Sequence, residues 1–160
     1  MSEPQSTILI VDDQPANIRI LGEALMGHHT VVAATDGFTA LELAARDDRP
    51  DLILLDVLMA GMDGFEVCER LKAQENTAGI PVIFITELSD ESNEERGLSI
   101  GAVDYMYKPV NPAIVRARVN IHLELKRHRD FLELMLEKRT HDLATAQREA
   151  LARLEDITPN

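Results

Sequence analysis

One cysteine, Cys68, is all that the 160-residue chain contains, so an internal disulfide and a cysteine-rich zinc site are both excluded. Cys68 reads as a small residue on a helix. No apolar run approaches the roughly 20 residues that a membrane span requires. The amino-terminal MSEPQST lacks the basic and apolar regions of a secretory signal, so a cytoplasmic protein with no membrane contact is expected. There is no internal repeat and no low-complexity segment. Positive charge is scarce in the first two-thirds: residues 1–111 hold 7 Lys and Arg against 20 Asp and Glu, a net −13. Such a surface argues against nucleic-acid binding there, because phosphate contacts need basic side chains. It suits a cation or a basic partner. Residues 112–160 are nearly balanced, 9 basic against 8 acidic. The chain therefore reads as one acidic domain with a real core, followed by a highly charged appendage.

What the first part does have is five short apolar runs: ILIV (8–11), TVVAA (30–34), LILL (52–55), VIFI (82–85) and VDYMY (103–107). The first, third and fourth are continuously apolar, as strands covered on both faces are. Helical patterns lie between them. PANIRILGEALM opens with Pro15, suited to a first helical turn, and places Ile18, Leu21 and Leu25 on one face. GFTALELAAR (37–46), DGFEVCERLKA (63–73) and DESNEERGLSI (90–100) are the next three. Alternation of this kind predicts an α/β fold, a parallel sheet with right-handed crossovers and helices on both sides. From Pro112 to about Asp156 neither proline nor glycine recurs, and helix formers dominate. A helix of forty-odd residues would span roughly 65 Å, too long for a domain of this size, so it is expected to pack on the sheet and then project.

Doubly wound sheets bind ligands beyond the carboxyl ends of their strands, where strand order reverses. Those ends are polar here. The first strand runs into Asp12-Asp13, the third into Asp56, the fourth into Thr86, and the fifth is followed by Lys108-Pro109. Three neighbouring carboxylates repel one another and resist ionising together. A hard divalent cation resolves the conflict, and Mg²⁺ suits oxygen ligands with retained water. The plainer alternative has Asp13 capping the helix that opens at Pro15. That leaves Asp12, Asp56 and Lys108 unexplained.

The stretches ILIVDDQPAN, DLILLDVLMAGMDGFEV, PVIFIT and GAVDYMYKP, in this order, resemble the receiver domain of two-component response regulators over about residues 6–120. The resemblance implies a flavodoxin-like five-stranded sheet of order 2-1-3-4-5. It also implies that Asp56 takes a phosphoryl group from the phosphohistidine of a sensor histidine kinase or phosphotransfer protein. On the same basis Asp13, Asp56 and the main-chain carbonyl of Leu58 would ligate Mg²⁺, with Asp12 acting through water. Lys108 and Thr86 would hold phosphoryl oxygens, and Pro109 would follow a cis peptide. Tyr105 would be the aromatic that turns inward as Thr86 moves. Two residues depart from the family pattern. Ala60 stands where proline is usual, and Glu87 stands where alanine or glycine leaves room for phosphodonors. Glu87 adds bulk and negative charge beside an anionic reaction, so slow phosphorylation by small donors is expected. Leu58 and Leu88 occupy the positions that tune hydrolysis, and neither can position water.

The domains expected are a receiver over 1–120 and a helical coiled-coil linker over 121–160. With Leu125, Leu132, Arg139, Ala146 and Arg153 at heptad position d, position a holds Arg129, Leu136, Leu143, Ala150 and Ile157. A homodimer through this helix is expected, weakened by its three arginines. The basic KRHR (126–129) sits among Glu124, Asp130 and Glu133 and reads as a solvated helix face, not a nucleic-acid contact. RTHDLATAQREALARLEDI resembles linkers that precede HD-GYP cyclic-di-GMP phosphodiesterase domains, which would place any output enzyme outside these 160 residues. Two rivals stand beside this reading. A haloacid-dehalogenase-type phosphatase would need a second aspartate where Leu58 is. A pseudo-receiver, an interaction module indifferent to phosphate, draws its support from Glu87.

Overall fold

The computed structural model describes residues 5–157, except for the side chain of Ile157. Its elements are β1 (Thr7–Val11), α1 (Pro15–Leu25), β2 (Thr30–Ala34), α2 (Gly37–Ala44), β3 (Leu52–Leu55), α3 (Gly64–Ala73), α4 (Glu75–Ala78), β4 (Val82–Thr86), α5 (Glu91–Ile100), β5 (Asp104–Tyr107) and α6 (Pro112–Ile157). The strands form one parallel sheet in the order β2-β1-β3-β4-β5. The expected α/β, flavodoxin-like architecture with a long carboxyl-terminal helix is therefore present. No helix among the described residues is long and apolar enough to cross a membrane.

Side-chain alternation along the strands divides the core in two. Leu9, Val11, Ile53, Leu55 and Phe84 face the cluster completed by α2 and α3. Ile8, Ile10, Leu52, Leu54, Ile83 and Ile85 face Leu21 and Leu25 of α1, and Val115, Val119 and Leu123 of α6. The three central strands are thus covered on both faces, which is why their sequences are unbroken apolar runs. The edge strands β2 and β5 each leave residues exposed.

The helix starts follow from local chemistry. Asp36 caps α2 by accepting from the Thr39 amide at 2.8 Å, and Asp63 caps α3 by accepting from Glu66 at 2.9 Å. Asn111 Oδ1 accepts from the Ala113 amide at 2.9 Å at the start of α6. Several boundaries differ from those expected. Asp63 and Asp90 are caps rather than helical residues, Thr86 belongs to β4, and Val103 precedes β5. The four-residue α4 had no counterpart in the periodicity, being too short to show any. Polar contacts with the end of α3 define it instead: Thr77 Oγ1 donates to Leu71 O at 2.6 Å, and Lys72 Nζ donates to the carbonyls of Ala78 and Ile80.

The chain divides into two units between Leu123 and Glu124. In the first, α6 contributes Val115, Val119 and Leu123, a buried stripe at helical spacing. In the second, Leu125, Phe131, Leu132, Leu134, Met135, Leu136 and Leu143 are all exposed.

Gly64 begins α3 directly against the end of β3. Its amide donates to Val57 O at 2.9 Å, and a Cβ added there would collide with the Asp56 carbonyl oxygen. Backbone cannot yield as a flexible side chain can. Gly64→Ala is therefore expected to destabilise the domain by about 3 kcal/mol, the upper range for overpacking, read as a lowered midpoint in urea unfolding. An unchanged midpoint would show that the β3–α3 loop can shift freely.

Candidate functional site

The reversal of strand order lies between β1 and β3, because the chain leaves β1 for β2 on one side and returns to β3 on the other. Val11 and Leu55 are in register across that junction, so Asp12 and Asp56 emerge beside one another. The Asp56 amide donates to Val11 O at 2.9 Å and fixes the pair at backbone level. Both side chains are buried, whereas the Asp13 side chain is exposed.

Lys108 meets both buried carboxylates. Its Nζ lies 2.7 Å from Asp12 Oδ2 and 3.2 Å from Asp56 Oδ2. The Lys108 amide donates to Thr86 O at 2.9 Å, and the Lys108–Pro109 peptide is cis, as the sequence suggested. Asp12 Oδ1 accepts from the Gln14 amide at 2.9 Å and faces Asn17 Nδ2 at 3.5 Å. Asp56 Oδ1 accepts from the Leu58 amide at 3.2 Å. Asp13 Oδ2 accepts from the Ala60 amide at 3.3 Å. Asp13 does not cap α1, whose N-cap is Gln14 and makes no side-chain capping bond.

The electrostatics follow from burial and from how Lys108 divides its contacts. Burial raises the Asp56 pKa above the ordinary carboxylate value; Lys108 pulls it down, Asp12 pushes it up, and the balance remains raised. Burial also works against the Lys108 charge, but the hydrogen bond to Asp12 and the fields of Asp56 and Asp12 outweigh it, leaving its pKa raised. One cation is thus shared by two buried anions, with its shorter bond to Asp12. Oxygen atoms of Asp12, Asp13 and Asp56 all lie within 4.8 Å of one another. Three hard donors so spaced, one of them open to water, fit a hydrated Mg²⁺.

The remaining predicted residues surround this centre. Thr86 is fully buried, and its Oγ1 accepts from the Leu88 amide at 3.3 Å. Tyr105 is buried against Phe84, ring centroids 5.9 Å apart, and its hydroxyl donates to Leu88 O at 2.9 Å. Burial, with smaller contributions from Tyr107 and nearby carboxylates, pushes the Tyr105 phenol up to about 12. The Leu58 side chain is exposed while its amide serves Asp56. Glu87 is exposed and shares a cavity of about 360 Å³ with Asn17, Ile20, Leu21, Ile85 and Lys108. Two features escaped the sequence reading. The main chain of Leu88 joins Thr86 to Tyr105 through its amide and carbonyl, and Gly64 seats α3 under Asp56. Backbone contacts leave no mark on side-chain pattern, although a glycine opening a helix after a capping aspartate hints at the second.

The family described as "Response regulator receiver domain" matches residues 8–120. A Vibrio cholerae protein named "Probable cyclic di-GMP phosphodiesterase" is 44% identical over 128 residues, covering 80% of this chain and 29% of that protein. "Response regulator PleD" of Caulobacter vibrioides is 49% identical over 113 residues, covering 70% of this chain and 25% of that protein. The chain thus spans under a third of the length of these two relatives. A crystal structure named as that of a Chloroflexus aurantiacus response regulator superposes with a TM-score of 0.72 at 33% identity, covering 76% of this chain and 99% of the other.

A raised Asp56 pKa has a definite consequence for stability. Between the unfolded carboxylate value and the raised folded one, the folded protein holds a proton that the unfolded chain has released. Metal-free stability therefore falls as pH rises through that window, and above it the folded state carries the full cost of the Asp56 charge. In EDTA at neutral pH, Asp56→Asn is expected to unfold at higher urea concentration than the parent. The gain should vanish as pH falls below the unfolded carboxylate value. Equal midpoints at neutral pH would mean that Lys108 fully offsets the charge.

Proposed function

This chain belongs to the response regulator receiver domain family, and we propose that it accepts a phosphoryl group on Asp56 from a histidine kinase or phosphotransfer protein. The observation that carries this reading is the Lys108 ammonium between Asp12 and Asp56 at the reversal of strand order. In the proposed step an Asp56 oxygen attacks phosphorus in line, the P–N bond of the donor phosphohistidine breaks, and its electron pair returns to the ring. Mg²⁺, held by Asp13, Asp56 and the Leu58 carbonyl with Asp12 through water, would offset charge on the transferring oxygens. Lys108 leaves Asp56 for a phosphoryl oxygen while keeping its shorter contact with Asp12. Thr86 can donate its hydroxyl proton to another phosphoryl oxygen while still accepting from Leu88. Tyr105 and Thr86 form the switch. A partner kinase of this kind places the protein in the cytoplasm.

Residues 1–120 are proposed as the receiver and 121–160 as a helical coiled-coil linker that relays the signal to an output domain. The name of the Vibrio relative supports a cyclic-di-GMP phosphodiesterase as that output. Pairing of α6 with a second copy is supported by the exposure of Leu125, Leu132, Leu136 and Leu143, between 58% and 66%. Ile157, assigned to the same seam, has its side chain outside the described residues. Each leucine buried in a dimer contributes roughly 1.5–3 kcal/mol relative to exposure. Arg129, Arg139 and Arg153 on the seam limit the gain.

Two experiments test these proposals. With Mg²⁺ and acetyl phosphate, one base-labile phosphoryl group is expected by intact mass. Asp56→Asn should abolish it, and Asp13→Ala should weaken Mg²⁺ binding, read by titration, by about tenfold or more, since losing even an outer-shell partner of a ligand costs that much. Equal labelling of the Asn variant would remove Asp56 as the acceptor. By light scattering at tens of micromolar the parent should be dimeric and the double variant Leu136→Glu, Leu143→Glu monomeric; two monomers would remove the coiled-coil arm.

A further inference from the structure

Glu87 is a charged residue of the Lys108 cavity that the proposed transfer leaves unused. It directly follows the buried Thr86, yet its own side chain is exposed. Among the described residues its carboxylate makes neither a hydrogen bond nor an ion pair. It lines the same cavity as Lys108, whose ammonium is 3.2 Å from Asp56. The other walls are mostly apolar, including Ile20, Leu21 and Ile85, and Asn17 already faces Asp12 and Gln14. Asp56 is not among the residues that line this cavity; Lys108 joins the two, and a leaving group that occupies the cavity while phosphorus is at Asp56 meets one uncommitted negative charge.

We propose that Glu87 selects the phosphodonor by the charge of its leaving group, favouring a protonated phosphoimidazole ring, as in phosphohistidine, over an acyl phosphate. The inference rests on the reading of Asp56 as the acceptor. A phosphoimidazole in its reactive form carries a proton and a positive charge on the ring nitrogen away from phosphorus. As the P–N bond breaks, its electron pair returns to the ring, which leaves as neutral imidazole with that N–H in place, while Asp56 gains the O–P bond. Part of the positive charge persists through the transition state, and a carboxylate beside it lowers the barrier relative to the free donor. Acetyl phosphate offers the opposite case: its acyl group is uncharged before transfer and takes the electron pair of the breaking P–O bond, so it leaves as acetate and negative charge grows beside Glu87 in the transition state. The apolar walls suit a flat ring. Glu87 thus ceases to be a mere obstruction and favours one donor class over the other.

A single exposed charge at contact distance changes an interaction by a factor of about five in a water-like dielectric. The test compares the parent with Glu87→Gln, which keeps the shape and removes the charge, using phosphoimidazole and acetyl phosphate at one neutral pH with Mg²⁺. Rates are read as the appearance of phosphoprotein by intact mass. In Glu87→Gln the acetyl phosphate rate should rise and the phosphoimidazole rate fall by about fivefold each. The parent's preference should also shrink as salt screens the exposed charge. If the ratio of the two rates is unchanged, or both rates rise in parallel, Glu87 only restricts access and the inference is overturned. Failure of both donors to label Asp56 in either protein would overturn the acceptor reading itself, and the selection with it.

Discussion

Two aspartates buried side by side at the ends of adjacent strands repel each other, and in this molecule one ammonium group holds them. Lys108 cannot be replaced in that role by a residue nearer in the sequence, since the aspartates end β1 and β3 whereas the lysine follows β5. Neighbouring strands lie about 4.8 Å apart, and the lysine reaches past β4 to Asp56 after β3 and to Asp12 after β1. Its backbone anchor on Thr86 O begins that reach at β4, and the four-carbon stem completes it. The compact charge at the end then meets two oxygens on different residues, a geometry for which a planar guanidinium is less suited. Everything else in the site depends on this link. It sets how much of the Asp56 charge is offset, and it leaves Asp13, open to water, as the carboxylate without an ammonium beside it.

The frame that brings these groups together was legible because each strand states its burial. ILIV, LILL and VIFI can be continuously apolar only when both faces are covered, so they had to be central, and the polar residues ending them had to emerge on one edge. Asp12, Asp13, Asp56, Thr86 and Lys108 were found by that logic. Less legible were features built from main-chain atoms. The Leu88 amide and carbonyl serve Thr86 and Tyr105, and any residue could supply them. The boundary of β4 was missed for a related reason. Thr86 reads as the first polar residue after a strand, but it is fully buried and still pairs with Tyr107 in the sheet. One turn of helix at α4 is held by Leu71 and Lys72 at the end of α3 and is too short to show a periodicity of its own.

Between the site and α5 the packing is thin. Gly97 is the fully buried residue of that helix, and a Cβ on it would lie 3.0 Å from ring carbons of Phe84 and of Tyr105. The helix therefore meets the aromatic row through a glycine, Ile100 at its end packs against the same core cluster, and Leu98 faces outward. What adds to the seat is polar and lies at the edge: Tyr107 donates to Glu94 Oε2 at 2.6 Å, and Arg96 lies 4.3 Å above the Phe65 ring. Elements anchored by few apolar contacts are those that displace at least cost. Helix α5 lies against the ring whose hydroxyl is tied to the loop beyond Thr86.

The other side of β5 is bound differently. Asp104, the residue before Tyr105, holds two side chains of α6: Arg118 Nη1 at 3.1 Å from Oδ1 and His122 Nε2 at 3.1 Å from Oδ2. Oδ1 also accepts from the Tyr105 amide at 2.9 Å. Just beyond, Val115, Val119 and Leu123 are buried with Met106 in the same cluster. Strand β5 and the opening turns of α6 are therefore joined by both polar and apolar contacts, whereas β5 and α5 are joined mainly by a glycine against rings. Thr86, Leu88 and Tyr105 are thus joined by hydrogen bonds on one side of β5, while Asp104 and Met106 tie the strand to α6 on the other, so the two flanks of β5 are held by different kinds of contact.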